Sequence, residues 1–422
     1  MKDSYDILII GAGIAGLYTA IECLKRRPTS RIALAESYHI AGGRASTFSA
    51  DISGVNYQWE MGAARISEHH HLLLKLLKYY GLETIPISAE VQFKESGEYP
   101  IEPDSFGPAI PITLAPLANL PVEILGTKTL RQLLSQFYKP KELEAILLRH
   151  PYRGELDTMR ADIGLKLFQN EFSPSEKYCL CKSGLSSLIK KMVEDFEKRG
   201  GFLFLKHKLL EIRGDDEFIF KKIGTTSEIT FTSRKTVFAI PSPALARLKP
   251  FASWPILKHL AMKPLLRIYA VFPPNKDNKQ WFEGLSKIVT ATRLRYIIPV
   301  STEVGSIQIS YTDSTDAEPL IELLKKEGET ALGAELVKDL RTLFGNTRTI
   351  PDPLFVKAYP WNDGVTYWLP GNYNPYTLSK MAIRPFPKKP WFVVGESYSI
   401  TQGWMEGALE HAKSALTHIL DG

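Results

Sequence analysis

The sequence is poor in cysteine. Cys23, Cys179 and Cys181 are the only three in 422 residues, and so sparse and odd a set is not a disulfide framework. It fits a reducing compartment. Cys179 and Cys181 form one CxC pair with no second ligand pair nearby, so no metal site is expected there. Long apolar runs are missing too. The stretch 7–24 comes nearest, but three glycines and Glu22 interrupt it, and neither a basic flank nor a small-residue cleavage site adjoins it. The sequence ends without a lipidation box or targeting tripeptide. The formal charge is only +6 and no dense Lys/Arg stripe occurs, which argues against nucleic acid as a partner. A soluble, cytoplasmic protein without membrane attachment is the expectation.

What is present is a globular composition, 44% apolar and 23% charged. A chain this long exceeds one hydrophobic core, so two domains are expected. Tyr5–Ile10 reads as a buried parallel strand. A helix follows with Ile14, Leu17, Ile21 and Leu24 on one face, basic residues in its last turn, and Pro28 as its stop. Arg31–Glu36 is the next strand, completing a βαβ unit. A second helix is predicted from Ser67 to Gly81, with His69–His71 fanned around its first turn and unable to share a metal. Six prolines between 100 and 121 predict irregular backbone. Further on come an amphipathic helix over 185–196, a strand at 202–205, a hairpin of 217–220 with 229–232, and a separate strand at 237–240. One helix is expected between 250 and 383, at about 332–344. A strand at 391–394 and a helix from about Trp404 close the chain.

The chemistry begins at GAGIAG, where Gly11, Gly13 and Gly16 follow the first strand and open the first helix, with Ile14 and Ala15 at its start. Gly11 allows the tight turn, Gly13 lets a phosphate approach, and Gly16 lets helix and strand pack closely. Helix-start N–H groups then bind the pyrophosphate. Glu36 ends the second strand twenty positions after Gly16, where a carboxylate accepts both ribose hydroxyls and repels a 2′-phosphate. The motif alone fits NAD and FAD equally. Gly42, Gly43 and Arg44 just beyond the acid offer a second glycine pair and an arginine to the pyrophosphate.

Taken with "WEMGAARI" at 59–66 and "GESYSITQGWMEGAL" at 395–409, these motifs resemble the flavin-containing amine oxidase superfamily. The resemblance covers the first ninety residues, the stretch 182–241, and the last forty. It implies an α/β fold: a Rossmann-like FAD-binding domain with an interleaved α+β substrate-binding domain. The expected boundaries are 1–85, 177–245 and 385–422 for the cofactor domain, and 86–176 and 246–384 for the substrate domain. It also implies that Gly62, Ala63, Arg65, Leu209 and Gly395 join the cofactor site. Glu396 would bond the ribityl-phosphate part, and Trp404 and Met405 would point helix N–H groups at the flavin edge that gains negative charge. Gly403 and Gly407 would let backbone approach the ring. Trp404 would form one wall of an aromatic cage, unless it only fills an interdomain gap. The second wall would be Tyr367 or Trp368, with Tyr367 preferred, and Trp361 would also line the cavity.

Two departures matter. Some relatives attach FAD to a cysteine near the last motif; this sequence has none beyond Cys181, so non-covalent FAD is expected. A lysine that holds a water near the flavin is matched here by Arg267 in "LLRIYAVF", with Lys263 as the alternative. Arginine orders water but serves as no base. Arg65 matches an arginine that pairs with a substrate carboxylate in L-amino-acid oxidases, a role suited to its planar fork; capping a loop or meeting FAD are its other readings. The implied activity is oxidation of an amine or L-amino acid to an imine, hydrolysed to an aldehyde or keto acid, with O2 reduced to peroxide. A polyamine oxidase using acidic residues between 283 and 363, a desaturase or porphyrinogen-type oxidase, and a non-catalytic FAD-binding protein are the alternatives. A homodimer is left open.

Overall fold

In the computed structural model, residues 3–95, 109–171 and 176–421 are described. Asp3–Ile10 is a strand buried from Ile7 onward. It lies between two parallel neighbours, pairing Ile7 with Ile32 on one side and with Lys235 on the other. Around it a seven-stranded sheet assembles. Its order is His207–Arg213, Glu217–Lys222, Glu228–Phe238, Asp3–Ile10, Ile32–Ala35, Phe202–Phe204, with Trp391–Val393 joined to Glu228–Phe238. This central placement explains the apolar run Ile7–Ile10 in the first strand.

Three helices cover one face of that sheet: Ile14–Arg26, Leu185–Lys198 and Met405–Leu420. Leu17, Ile21, Leu188, Met192, Leu409 and Leu416 interlock there with almost no exposure. Burying each such side chain contributes about 1.5–3 kcal/mol. The two ends of the chain are therefore joined through helix packing. The opposite face carries an aromatic core that includes Phe218, Phe231, Phe238, Phe251 and Trp391.

A six-stranded sheet runs Phe355–Trp368, Leu260–Val271, Ser306–Asp313, Tyr296–Ser301, Lys287–Thr290, Val91–Lys94. The helical segment Ser314–Phe344 packs on one face through Leu320, Leu332, Leu336 and Leu340. Two irregularities shape the other face. Between Ile268 and Tyr269 the pairing with Ser306–Asp313 slips by one residue. Ile307 and Ile309 consequently face the helix, while Tyr311 and Asp313 face the cavity. Between Lys263 and Leu265 the partner strand bulges at 362–364, which brings Gly364 and its neighbours to the cavity wall.

Several elements differ from expectation. The second helix begins at His71, because Ile66–Ser67 pairs as a strand with Cys179 and Tyr178. The hairpin's second strand runs unbroken from Glu228 to Phe238, merging two predicted strands. The helix over 332–344 is preceded by another from Ser314, and Gly328 breaks the helical geometry between them. Pro375–Ala382 adds a further helix. Of the proline-rich stretch, 100–108 lies outside the described residues; Ala109–Leu114 is a short helix and Ala115–Leu117 a 3-10 turn rather than irregular backbone. Among the described residues no helix is long and apolar enough to cross a membrane.

Candidate active site

A cavity of about 940 Å3 runs between the two sheets. At one end lie Gly11, Gly13, Ile14, Ala15, Glu36, Gly42, Gly43 and Leu209. Gly11 has φ of +105°, and a Cβ there would sit 2.4 Å from the Ala239 carbonyl oxygen. Gly13 is the N-cap of the first helix and faces open space. Gly16 does not line the cavity; a Cβ there would lie 2.0 Å from the Gly11 carbonyl oxygen, so its place is in helix–strand packing. The Glu36 carboxylate accepts N–H bonds from Ala12 at 2.8 Å and Tyr38 at 2.9 Å. These bonds fix its position beside the glycine turn.

The C-terminal motif meets the glycine pair through an ion pair. Arg44 Nη2 lies 2.9 Å from Glu396 Oε2, and Arg44 Nη1 donates to the Gly364 carbonyl at 2.9 Å. Glu396 also accepts from the Thr366 N–H (3.1 Å), the Thr366 hydroxyl (3.0 Å) and the Gly403 N–H (2.9 Å). A buried carboxylate with four donors joins both sheets and the turn before the last helix. Glu396→Ala is expected to destabilise the fold by about 3 kcal/mol, since breaking such a pair strands its partners. Thermal denaturation checks this, and an unchanged midpoint would count against the joint.

At the other end stand Gly62, Ala63, Arg65, Arg267, Trp361, Tyr367, Gly395, Trp404 and Met405. Arg65 lies against three rings, with its guanidinium carbon 5.7 Å from the centre of Tyr152, 5.1 Å from Tyr178 and 5.4 Å from Trp404. Its Nη2 donates to the Tyr152 hydroxyl at 3.1 Å. Trp404 caps the last helix and is met edge-on by His70 at 4.7 Å. His70 is buried, which lowers its pKa to about 4; His69 and His71 are exposed. Trp361 donates its indole N–H to the Met61 carbonyl at 2.8 Å. Arg267 is buried, stacked 4.5 Å over Tyr311, and its Nε has no hydrogen-bond partner.

Three expectations fail here. Trp368 does not line the cavity. Successive strand residues point to opposite faces, so Tyr367 takes the cavity side. Trp368 is fully buried and donates its indole N–H to the Ser399 carbonyl at 2.8 Å. Lys263 is likewise not a lining residue. Gly407 serves its own turn rather than a ring: a Cβ there would sit 1.8 Å from the Thr401 carbonyl oxygen.

Sequence reasoning missed Glu155, and reached Asp313 only as one of the acids between 283 and 363. Glu155 lines the cavity, and its Oε2 lies 2.9 Å from His150 Nε2. Asp313 also lines it and accepts from the Arg153 N–H (2.7 Å), the Gly154 N–H (2.9 Å) and the Tyr367 hydroxyl (3.3 Å). Burial raises both, Glu155 to about 8 and Asp313 to about 7. Asp313 directly precedes the helix from Ser314, but its carboxylate bonds the N–H groups that open a helix in a distant segment. Glu155 sits in a short polar stretch with no distinguishing pattern.

A glycine turn with a fixed acid stands at one end of the cavity, and aromatic rings with a buried arginine at the other. The space at Gly13 and the unpartnered Arg267 Nε fit a long polar cofactor with a ring system. A family model described as flavin containing amine oxidoreductase matches residues 14–420, and the chain belongs to that family. Its cofactor is FAD. A Bacillus subtilis (strain 168) protein named Putative L-amino-acid oxidase YobN is 24% identical, covering 96% of this chain and 92% of its own. A double mutant of putrescine oxidase matches with a TM-score of 0.75 at 16% identity, covering 100% of both chains. A structure named Putative protoporphyrinogen oxidase, from Exiguobacterium sp. 255-15, matches at a TM-score of 0.69 and 16% identity over 99% of both.

Neither Cys23, Cys179 nor Cys181 lines the cavity. Acid denaturation of the purified protein is therefore expected to release yellow flavin into the supernatant. Colour retained in the pellet would indicate a covalent link.

Proposed function

We propose that the protein oxidises the carbon bearing nitrogen of an amine or L-amino acid, with the amino acid favoured. The observation that carries this reading is Arg65, held among Tyr152, Tyr178 and Trp404 at the ring end of the cavity. Its planar fork suits a substrate carboxylate. Tyr367 and Trp404 confine the neutral amine, converting an encounter into a near-attack geometry. Bound FAD supplies the two-electron acceptor, which O2 restores with release of peroxide. Arg267 stays protonated and is suited to order water or hold negative charge, not to act as a base. The imine leaves and is hydrolysed to a keto acid, or to an aldehyde where the substrate is an amine.

A second reading, oxidation of a diamine or polyamine, is favoured by Glu155, Asp313 and Asp363, all of which line the cavity. These acids are suited to hold a distal ammonium. The test is anaerobic mixing of the yellow protein with L-amino acids, monoamines and polyamines. Bleaching of the flavin's visible band by amino acids supports the first reading, and bleaching by polyamines alone replaces it with the second. No bleaching by any pool would overturn both.

A further inference from the structure

The proposed reaction needs a neutral amine, yet amines and amino acids arrive largely as ammonium ions near neutral pH. Their proton must pass to a group in the cavity before the amine can react. Two carboxyls stand on the wall it would meet. Glu155 is placed by the short helix Arg153–Asp157, whose first two N–H groups are bonded to Asp313. His150, fully buried, holds Glu155 from behind. Arg65, the carboxylate anchor of the reading above, bonds to Tyr152, three residues before Glu155. The two poles of a zwitterion are thus matched by an arginine and an acid that share one wall.

We propose that Glu155 receives the substrate's ammonium group and takes its proton, with Asp313 and Tyr367 as the hydrogen-bonded floor beneath it; the proposal rests on the amine-oxidising reading. In this step an N–H bond of the ammonium breaks and an O–H bond forms on Glu155. The nitrogen keeps the electron pair, and no net charge enters the cavity. Glu155 suits the task better than Asp313, which is already committed to three donors.

The groups around Glu155 set its titration. Arg65 lowers it from the loop, and His150 contacts it from the turn preceding its helix. Asp313 and Asp316 belong to the strand end and helix start opposite, where Tyr367 bonds to Asp313. Arg153, on the same helix as Glu155, is drawn toward Glu144, Asp157 and Asp316. Burial outweighs Arg65, so the carboxyl is neutral in acid and accepts a proton only on the alkaline side of neutrality.

The test combines kinetics with proton counting. Anaerobic flavin reduction by the substrate class found above is followed against pH in the wild type and in Glu155→Gln. The wild-type profile should rise through a limb near neutrality to mildly alkaline pH. In Glu155→Gln that limb should move to the ammonium's own pKa, with at least about a tenfold loss at pH 7. The second readout does not depend on turnover. Calorimetry in buffers of different ionisation enthalpy follows binding of 2-aminoisobutyrate, or tert-butylamine for an amine-specific enzyme; neither has an oxidisable α-hydrogen. Wild type should release about one proton per site at pH 7, because Glu155 gives up its own proton to accept the ligand's. Glu155→Gln should release none. Absence of proton release in the wild type overturns the proposal even if the variant fails to fold. Superimposable pH profiles overturn it while leaving the amine-oxidising reading intact, whereas a wild type bleached by no substrate defeats that reading first.

Discussion

Arg65→Ala should lower the apparent affinity for a carboxylate-bearing substrate by roughly 10- to 100-fold, the loss expected when charge-assisted hydrogen bonds worth about 1.5–3 kcal/mol disappear. Arg65→Lys should recover only part of this, because an ammonium keeps the charge but not the fork. The side chain also touches three rings, so its removal opens a gap. Flavin content and melting temperature of the variant separate that packing effect from lost recognition. Oxidation of a substrate without a carboxylate provides the internal control, since its kinetics should change far less. Unchanged affinity for the carboxylate substrate in Arg65→Ala would defeat the assignment and shift weight to Glu155 and Asp313 as the sole substrate anchors.

Two glycines three residues apart should fail in opposite ways. A methyl group at Gly16 would press on the Gly11 carbonyl oxygen at 2.0 Å, a backbone atom with little room to move. Gly16→Ala should therefore destabilise the fold itself by several kcal/mol, about the range for overpacking at its upper end. At Gly13 the added methyl meets nothing within 4 Å, and φ is −71°. Gly13→Ala should leave the apo protein's melting temperature nearly unchanged. It should weaken FAD retention at least about tenfold, because the methyl fills space where a phosphate approaches the backbone. Flavin-to-protein ratio and melting temperature, measured on both variants, check the contrast. Equal loss of stability in both would show that the turn is only structural. Equal retention of flavin in Gly13→Ala would show that the phosphates lie elsewhere.

The strands, turn and helices near the two ends of the chain were legible because each carries its own local physics, while their convergence was implied by the family resemblance. GAGIAG needs only a strand, a turn and a helix in succession. The helix faces of Ile14–Arg26 and Leu185–Lys198 follow from the spacing of apolar residues. The flanks of the chain's elements were less legible. Ser67 looked like a helix cap, yet pairing with Cys179 and Tyr178 claims it for a strand, and a partner over 110 residues away leaves no local mark.

The candidate site divides along the same line. The sequence by itself determined the strand, glycine turn and helix of GAGIAG with Glu36 ending the next strand, whereas the aromatic residues proposed around a ring came from the family resemblance. The former depends only on contacts close in sequence. Tertiary structure alone decided which of Tyr367 and Trp368 faces the cavity, and that a one-residue slip opposite Ile268 and Tyr269 turns Tyr311 and Asp313 toward it. It alone joined Arg44 to Glu396, and set Glu155 and Asp313 on one wall with Arg65. Facing direction is fixed by strand register, and the ionisation of an acid by what buries it. Both are properties of neighbours that the order of residues does not name.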